Sequence, residues 1–544
     1  MRSRRGPPRS EVDAMTGSRP GGTLPCSFGG PQAFAPTGRE AADFDLWAMG
    51  EMRVPERTLM ENAGRAAAQI VQRLHPKGPV SVVVGGGNNG GDGVVLARSL
   101  TSWGREVRVF RGSRRLPDEG LFHGHALEIT ESDPEGTPVR QALDRSEGVV
   151  VDALLGTGIE GAPRPGAVGW IEAMNQASAP VLSLDLPSGV DAGTGAVPGS
   201  AVTAATTVAF GWPKLGSLLY PGRGRAGRII AVEIGFPPPP LGSFPARVIT
   251  TGWAEVHRPR RTAPTHKNQV GSLLLLAGVR GLAGAAILAA RGALRSGVGY
   301  LRVASPAENR EILQGSVPGA VFVDAGDAGA LARAVEACDA VAAGPGLGLE
   351  SAAARAMEAV LVSGKGRPSV LAADALKLSA NGSVPPLSEW AADRPLVITP
   401  HPGEMARIRS VDREELLHRR PEVARAAARE LRAPVLLKGD PSLVAAPDGA
   451  LLVAGTGGTA FAAAGMGDVL TGSTGAFLAQ GCEPAVAAGL ALHFTGAAAR
   501  SMDREPALLP EDVVEGLPRA LREGGVGWTD LDLPFVTFDQ SAPR

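Results

Sequence analysis

Along this chain short apolar runs, each closed by a glycine or a polar residue, alternate with stretches whose Ala and Leu recur at helical spacing. Val82–Val84 is a β-branched run of the kind that forms a strand buried on both faces. Val107–Phe110, Gly148–Leu155, Val181–Leu184, Thr206–Phe210 and Ile229–Val232 repeat that signal, while Glu40–Met49 and Thr58–Leu74 carry helical spacing. Beyond Gly271 the rhythm restarts. Strands are expected at Leu273–Ala277, Tyr300–Ala304, Ala340–Ala343, Val370–Ala372, Leu396–Thr399 and Val435–Leu437. Helices are expected up to Arg295 and from Gly465 through Ala479. Strands alternating with helices predict α/β folding around parallel sheets.

At 544 residues the chain exceeds one ordinary core. Phe236–Leu241 holds four consecutive prolines, which fit neither a helix nor a central strand, so a boundary is expected near 240–260. The expected plan is a disordered tail at 1–37, a first domain at 38–240, a linker at 241–262, a second domain at 263–525 and a tail at 526–544. A net charge of −1 gives no electrostatic case for nucleic acid, and no apolar run is long enough to cross a bilayer. Cys26, Cys338 and Cys482 are too scattered for a disulfide framework or a metal site, which points to a reducing cytoplasm.

The densest chemistry lies in Ser81–Arg98 (SVVVGGGNNGGDGVVLAR), a strand followed by a glycine-rich turn and a helix. In that geometry backbone N–H groups at the helix start can receive phosphate. The stretch lacks the Lys-Ser/Thr of a P-loop and is no clean dinucleotide fingerprint, so a ligand-free βα turn is the competing reading. Asn88, Asp152 and Asp185 each fall at the carboxyl end of a predicted strand, where residues distant in sequence converge in an open parallel sheet.

Met60–Arg65 (MENAGR), Asn88–Gly93 (NNGGDG), Asp152–Gly158 (DALLGTG) and Asp185–Asp191 (DLPSGVD) together resemble the N-terminal domain of bifunctional NAD(P)H-hydrate repair enzymes. GPGLG at Gly344–Gly348, TPHPGE at Thr399–Glu404, KGDPS at Lys438–Ser442 and GMGDVLTG at Gly465–Gly472 resemble the ADP-dependent dehydratase of the same enzymes. The resemblance implies a Rossmann-like three-layer α/β/α domain followed by a ribokinase-like α/β domain. It implies that Asn88, Asn89, Gly90, Gly91, Asp92, Gly156, Thr157, Gly158, Ile159, Glu160, Gly161 and Ala162 hold the hydrated nucleotide, with Asp185 acting on the carbon that bears the hydroxyl. Asn89, Asp152 and Ser188 resemble ligands of a potassium ion, and Lys214 matches a family lysine that the residues alone would equally place at the surface.

In the second half Lys438, Gly439, Asp440, Pro441, Ser442 and Gly467 resemble the adenine-nucleotide site. Ala285, Gly346, His401 and Asp468 resemble the hydrate site, Asp468 as the base beside an anion hole at a helix N-terminus. ADP as co-substrate, magnesium and a homo-oligomer are expected with it. The chain departs from the pattern at Ala463–Ala464, where Thr-Gly is usual, at Gly458–Phe461, and at His266–Gly271, so slower dehydration is expected. His493, on an apolar helix, reads as a core or interface residue. The alternative function is a ribokinase-like small-molecule kinase fused to a non-catalytic nucleotide-binding module.

Overall fold

The computed structural model describes residues 33–113, 119–125, 127, 129–131, 133, 141–144, 148–159, 161–261, 270–455, 463–502, 507–524 and 530–543. Among the described residues two compact units form: residues 33–248 together with 530–543, and residues 249–524.

The first unit is built on β1 (Val80–Val84), β2 (Val107–Arg111), β3 (Ile129–Thr130), β4 (Val149–Ala153), β5 (Val181–Leu184), β6 (Thr206–Phe210) and β7 (Arg228–Val232). β1 and β4 through β6 are buried along their whole length, as their unbroken apolar runs demand. Helices α1 (Gly38–Gly50), α2 (Glu56–Leu74), α3 (Asn88–Ser102) and α4 (Pro165–Gln176) accompany them. The strand order is β7-β6-β5-β4-β1-β2-β3, all parallel, so the chain reverses its winding between β1 and β4. A crevice opens beyond the strand ends at such a switch point.

Three stretches expected to lie outside the domains are instead part of this unit. Ala33–Ala35 are buried, Phe34 bridges Arg247, and Thr37 caps α1 by accepting from the Glu40 amide. Phe244 and Val248 are buried too, Phe244 against Phe34 and Phe44. Here aromatic burial overrides a proline- and glycine-rich local sequence. Finally, Val536–Gln540 adds an antiparallel strand along β7, and Asp539 takes a bidentate contact from Arg228 at 2.5 and 2.8 Å. Its V-T-F alternation is a half-buried strand pattern. Residues 1–32 of the expected tail lie outside the described residues.

Next in sequence come β8 (Ala246–Ile249) and the second unit's β9 (Ser272–Leu276), β10 (Tyr300–Ser305), β11 (Ala320–Asp324), β12 (Ala340–Ala343), β13 (Ser369–Leu371), β14 (Leu396–Ile398), β15 (Val435–Leu437), β16 (Leu443–Ala445) and β17 (Leu451–Ala454). The C-terminal Val536–Gln540 is β18. β9 through β17 run in the order β11-β10-β9-β12-β13-β14-β15-β16-β17, with another winding reversal between β9 and β12. The helices that bear on the site are α5 (Ala283–Arg295), α6 (Ala373–Ala380), α7 (Pro402–Arg409), α8 (Arg420–Leu431), α9 (Met466–Ala479), α10 (Pro484–Met502) and α11 (Pro510–Glu523). His493 of α10 is buried, with Nε2 3.0 Å from the Gly524 carbonyl, which makes it a core residue.

Candidate active sites

β1 ends at Val84 and the chain turns through Gly85–Gly87 into α3. Gly85 has no room for a side chain, because a Cβ there would stand 1.8 Å from the Leu154 carbonyl oxygen. That close approach brings the ends of β1 and β4 together. Asn89 donates from Nδ2 to the Leu155 carbonyl at 2.8 Å, while its Oδ1 is buried with no hydrogen-bond partner. Asp152 is fully buried and accepts from Ser188 Oγ at 2.6 Å, the Ser188 amide at 2.9 Å, Ser183 Oγ at 2.8 Å and the Leu154 amide at 3.2 Å. Burial raises its carboxyl, and these donors pull the other way.

Asn89, Asp152 and Ser188 thus gather around Leu155, whose carbonyl also lies 3.3 Å from Ser188 Oγ. The donors are all oxygens with a single carboxylate among them, and one buried acceptor is unpaired. That set fits a hard monovalent cation. Among the described residues no cluster of three His, Cys, Asp or Glu side chains could hold a metal.

Beyond these ends lies a cleft of about 1560 Å³. It exceeds the ~300–1,000 Å³ of ordinary ligand pockets. Asn88, Asn89, Gly90, Asp92, Gly156, Thr157, Gly158, Ile159, Ala162 and Asp185 line it. Gly91 packs on Met60 instead, Gly161 is not on the wall, and Glu160 lies outside the described residues. Asn88 is exposed and bonds Glu56 at 3.0 Å.

Asp185 directly follows β5 with φ 65°, a left-handed conformation that a non-glycine residue keeps only when its surroundings hold it. Its Oδ1 accepts from Lys214 Nζ at 2.5 Å and the Phe210 amide at 3.2 Å. Lys214 is buried and also donates to the carbonyls of Phe210 and Trp212, so the surface alternative is excluded. Burial pushes the Asp92 carboxyl well above the usual range, with Asp185 and Asp45 adding to the rise. From the MENAGR motif, Met60 and Ala63 reach the cleft, whereas Glu61 pairs with Arg98 and Arg57. Asn62 donates to the Ile234 carbonyl at 2.9 Å, a clasp rather than a ligand contact.

The second unit repeats the logic at its own strand ends. After β12, Gly346 lies against α5, where a Cβ on it would stand 2.9 Å from Ala285 Cβ. Asp374 of α6 accepts from the Gly348 amide at 3.0 Å and from Lys377 at 2.8 Å. After β14, His401 caps α7 through Nδ1, which accepts from the amides of Gly403 and Glu404. This role leaves Nε2 as the ring nitrogen that carries the proton. Burial lowers the His401 pKa, with Glu404 opposing.

Glu404 is buried, accepts from the His401 amide at 2.9 Å, and lies 3.8 Å from Lys438 Nζ. Burial lowers the Lys438 pKa, opposed by Glu404 and Asp468. Asp468, in the first turn of α9, is pushed up to about 6 by burial, against Lys438 and with Asp374. Lys438 Nζ also lies over Gly467, within 3.4 Å of where a Cβ would stand.

In the loop after β15, Ser442 Oγ donates to the Gly439 carbonyl at 2.9 Å. Arg420, at the start of α8, donates to the carbonyls of Asp440 and Pro441 at 3.0 and 2.5 Å and is buried. Gly439, at φ 148°, leaves space for that guanidinium: a Cβ would stand 2.4 Å from its nitrogen. Nothing in the local sequence singles Arg420 out. The departure at Ala463–Ala464 carries no left-handed strain, because the positive φ (91°) falls on Gly465. Gly458–Phe461 and His266–Gln269 lie outside the described residues.

Two α/β units with phosphate-type helix starts and carboxylates at their strand ends define a nucleotide-handling enzyme built in two parts. Residues 56–216 match the family described as YjeF-related protein N-terminus, and residues 273–519 match NAD(P)H-hydrate dehydratase. The bifunctional NAD(P)H-hydrate repair enzyme Nnr of Moorella thermoacetica is 36% identical over 519 residues, covering 89% of this chain and 96% of that protein. Its Escherichia coli counterpart is 33% identical over 81% of this chain and 84% of that protein. An ADP/ATP-dependent NAD(P)H-hydrate dehydratase from Bacillus subtilis, co-crystallised with ATP and Mg²⁺, is 31% identical with a TM-score of 0.44, covering 51% of this chain and 97% of that chain. The chain belongs to the family of bifunctional NAD(P)H-hydrate repair enzymes.

Proposed function

We propose that the first unit interconverts the R and S hydrates of NADH and NADPH, and that the second dehydrates the S form with ADP, releasing AMP and phosphate. The observation that carries this reading is the family match across both units, each with a carboxylate placed for the chemistry, Asp185 directly after β5 in one and Asp468 in the first turn of α9 in the other. Asp185 works at the carbon bearing the hydroxyl, and the cleft from Asn88 to Ala162 takes the nucleotide. Asn89, Asp152 and Ser188, with the Leu155 carbonyl beside them, would hold a potassium ion, which would supply positive charge beside the cleft.

In the second unit Lys438–Ser442 and Gly467 take ADP, and Ala285, Gly346, His401 and Asp468 take the hydrate. Asp468 removes the proton of the hydrate's hydroxyl as phosphate is transferred to it, and amides at the α9 start stabilise the transferring group. The nucleotide phosphates would hold a magnesium ion, since this ion keeps several waters and needs few protein carboxylates. The enzyme works in the cytoplasm as a homo-oligomer.

The test is incubation with mixed hydrate epimers, with and without ADP, following reduced-cofactor absorbance, AMP and phosphate. Recovery of both epimers with one AMP and one phosphate per cofactor supports the reading. A stable phosphorylated product with no free phosphate would assign an ordinary kinase.

A further inference from the structure

One carboxyl group in the first unit's cleft has no part in the chemistry above. Asp45 lies on α1, next to Phe44, and shares the cleft wall with Asp185 and Lys214. Its place is firmly set. The Leu215 amide donates to the Pro36 carbonyl at 2.9 Å, tying the approach to α1 to the residue that follows Lys214. Phe44 packs edge-on against Trp212 and Phe236, with ring centres 5.4 and 5.1 Å away. α1 and the Trp212–Lys214 turn therefore hold Asp45 and the Asp185–Lys214 pair against one space.

The two carboxyl groups differ in their partners. Asp185 shares Oδ1 with the Lys214 ammonium at 2.5 Å. Asp45 has no hydrogen bond or ion pair to another described residue, and Lys214, Asp185, Glu56 and Asp92 are the charged groups that face it. Two carboxyls in one cleft with unlike surroundings are the arrangement that divides acid from base.

We propose that Asp45 is a second catalytic residue of the epimerase site, the proton donor that complements Asp185. The proposal rests on the epimerase reading of this unit. The hydroxyl leaves its ring carbon with the C–O electron pair, takes the Asp45 proton and departs as water. The neighbouring ring nitrogen supplies its lone pair to form a C=N⁺ bond. Water then adds to the opposite face, the C=N⁺ pair returns to nitrogen, and the proton lost by that water passes to the Asp185 carboxylate. Exchange with solvent resets both carboxyl groups. Burial pushes Asp45 up to about 6, so a proton is available there in weakly acidic to neutral solution.

The experiment uses the full chain with one purified hydrate epimer in H₂¹⁸O and no ADP, over a range of pH. The wild-type protein is expected to epimerise, to place one solvent oxygen on the product per turnover, and to slow as pH rises through about 6. Asp45→Asn is expected to lose on the order of 10²-fold in kcat with a smaller change in KM, and to lose that pH dependence. Asp45→Glu is expected to restore part of the rate together with the pH dependence, which a merely structural role would not do. Epimerisation by Asp45→Asn within threefold of wild type, a slowed variant that keeps the wild-type pH profile, or turnover without solvent oxygen would overturn the proposal. Failure of the wild-type protein to epimerise would overturn the epimerase reading instead.

Discussion

Asp185 and Lys214 meet at 2.5 Å in the first unit's cleft, 29 residues apart in sequence, both largely withdrawn from water. The pair unites a strand end in left-handed backbone with a lysine whose other donors go to the carbonyls of Phe210 and Trp212. Removing one partner of such a pair strands the other as a buried charge. Lys214→Met is expected to destabilise the first unit by about 3–5 kcal/mol and to abolish epimerisation. Urea unfolding monitored by tryptophan fluorescence checks the first effect. An unfolding midpoint equal to wild type would mean the ion pair contributes nothing to the fold.

Potassium dependence should follow from the Asn89 side chain, whose Oδ1 is buried and unpaired. Asn89→Ala removes that oxygen along with the bond to Leu155. Epimerase activity of the wild-type chain is expected to rise with KCl and not with LiCl, and the variant is expected to lose the difference. Equal activity of the wild type in both salts would contradict the cation site.

Most strands were legible from their apolar runs, and Val181–Leu184, Thr206–Phe210, Ala340–Ala343 and Val435–Leu437 lie where the sequence places them, whereas the short or half-buried strands Ile129–Thr130, Ala246–Ile249, Ala320–Asp324, Leu443–Ala445 and Leu451–Ala454 went unread. The glycine-rich turns were legible as strand-to-helix corners for the same reason. Asp45 and Arg420 were not. Each reads locally as a solvated helix residue, and only the convergence of distant segments buries one in a cleft and the other under a loop. The packing of Phe34 and Phe244 was hidden by proline and glycine around them, and β18 by its position next to a chain end.

Burial gives Asp468, the base proposed for the second unit, a stability cost. Its folded value of about 6 lies above the ordinary carboxyl value of 3.8, so the fold disfavours the ionised form. That penalty is absent below about pH 4 and fully present above about pH 6. Asp468→Asn is therefore expected to stabilise the second unit by about 1–2 kcal/mol at pH 8 and by little at pH 4. ADP-dependent dehydration should fall by on the order of 10²-fold or more in the variant, and about tenfold in the wild type between pH 7 and 5. Denaturation midpoints at the two pH values, set beside the rates, check both signs.

Arg420 holds the Lys438–Ser442 loop, proposed above to take ADP, through the carbonyls of Asp440 and Pro441. Arg420→Met should loosen the loop while leaving Asp468 in place. The expected result is a KM for ADP raised tenfold or more, with a smaller change in kcat. An unchanged KM would reduce Arg420 to a packing residue.

The measurement that bears most directly on a chain with two separate activities is recovery of reduced cofactor from an equal mixture of R and S hydrates, with ADP and the Asp185→Asn variant. Wild type is expected to return all of it. The variant should return the S half at the wild-type rate and then stop, apart from the spontaneous interconversion of the epimers. Full recovery by the variant would remove Asp185 from the epimerase mechanism, and loss of the S half as well would contradict independent sites.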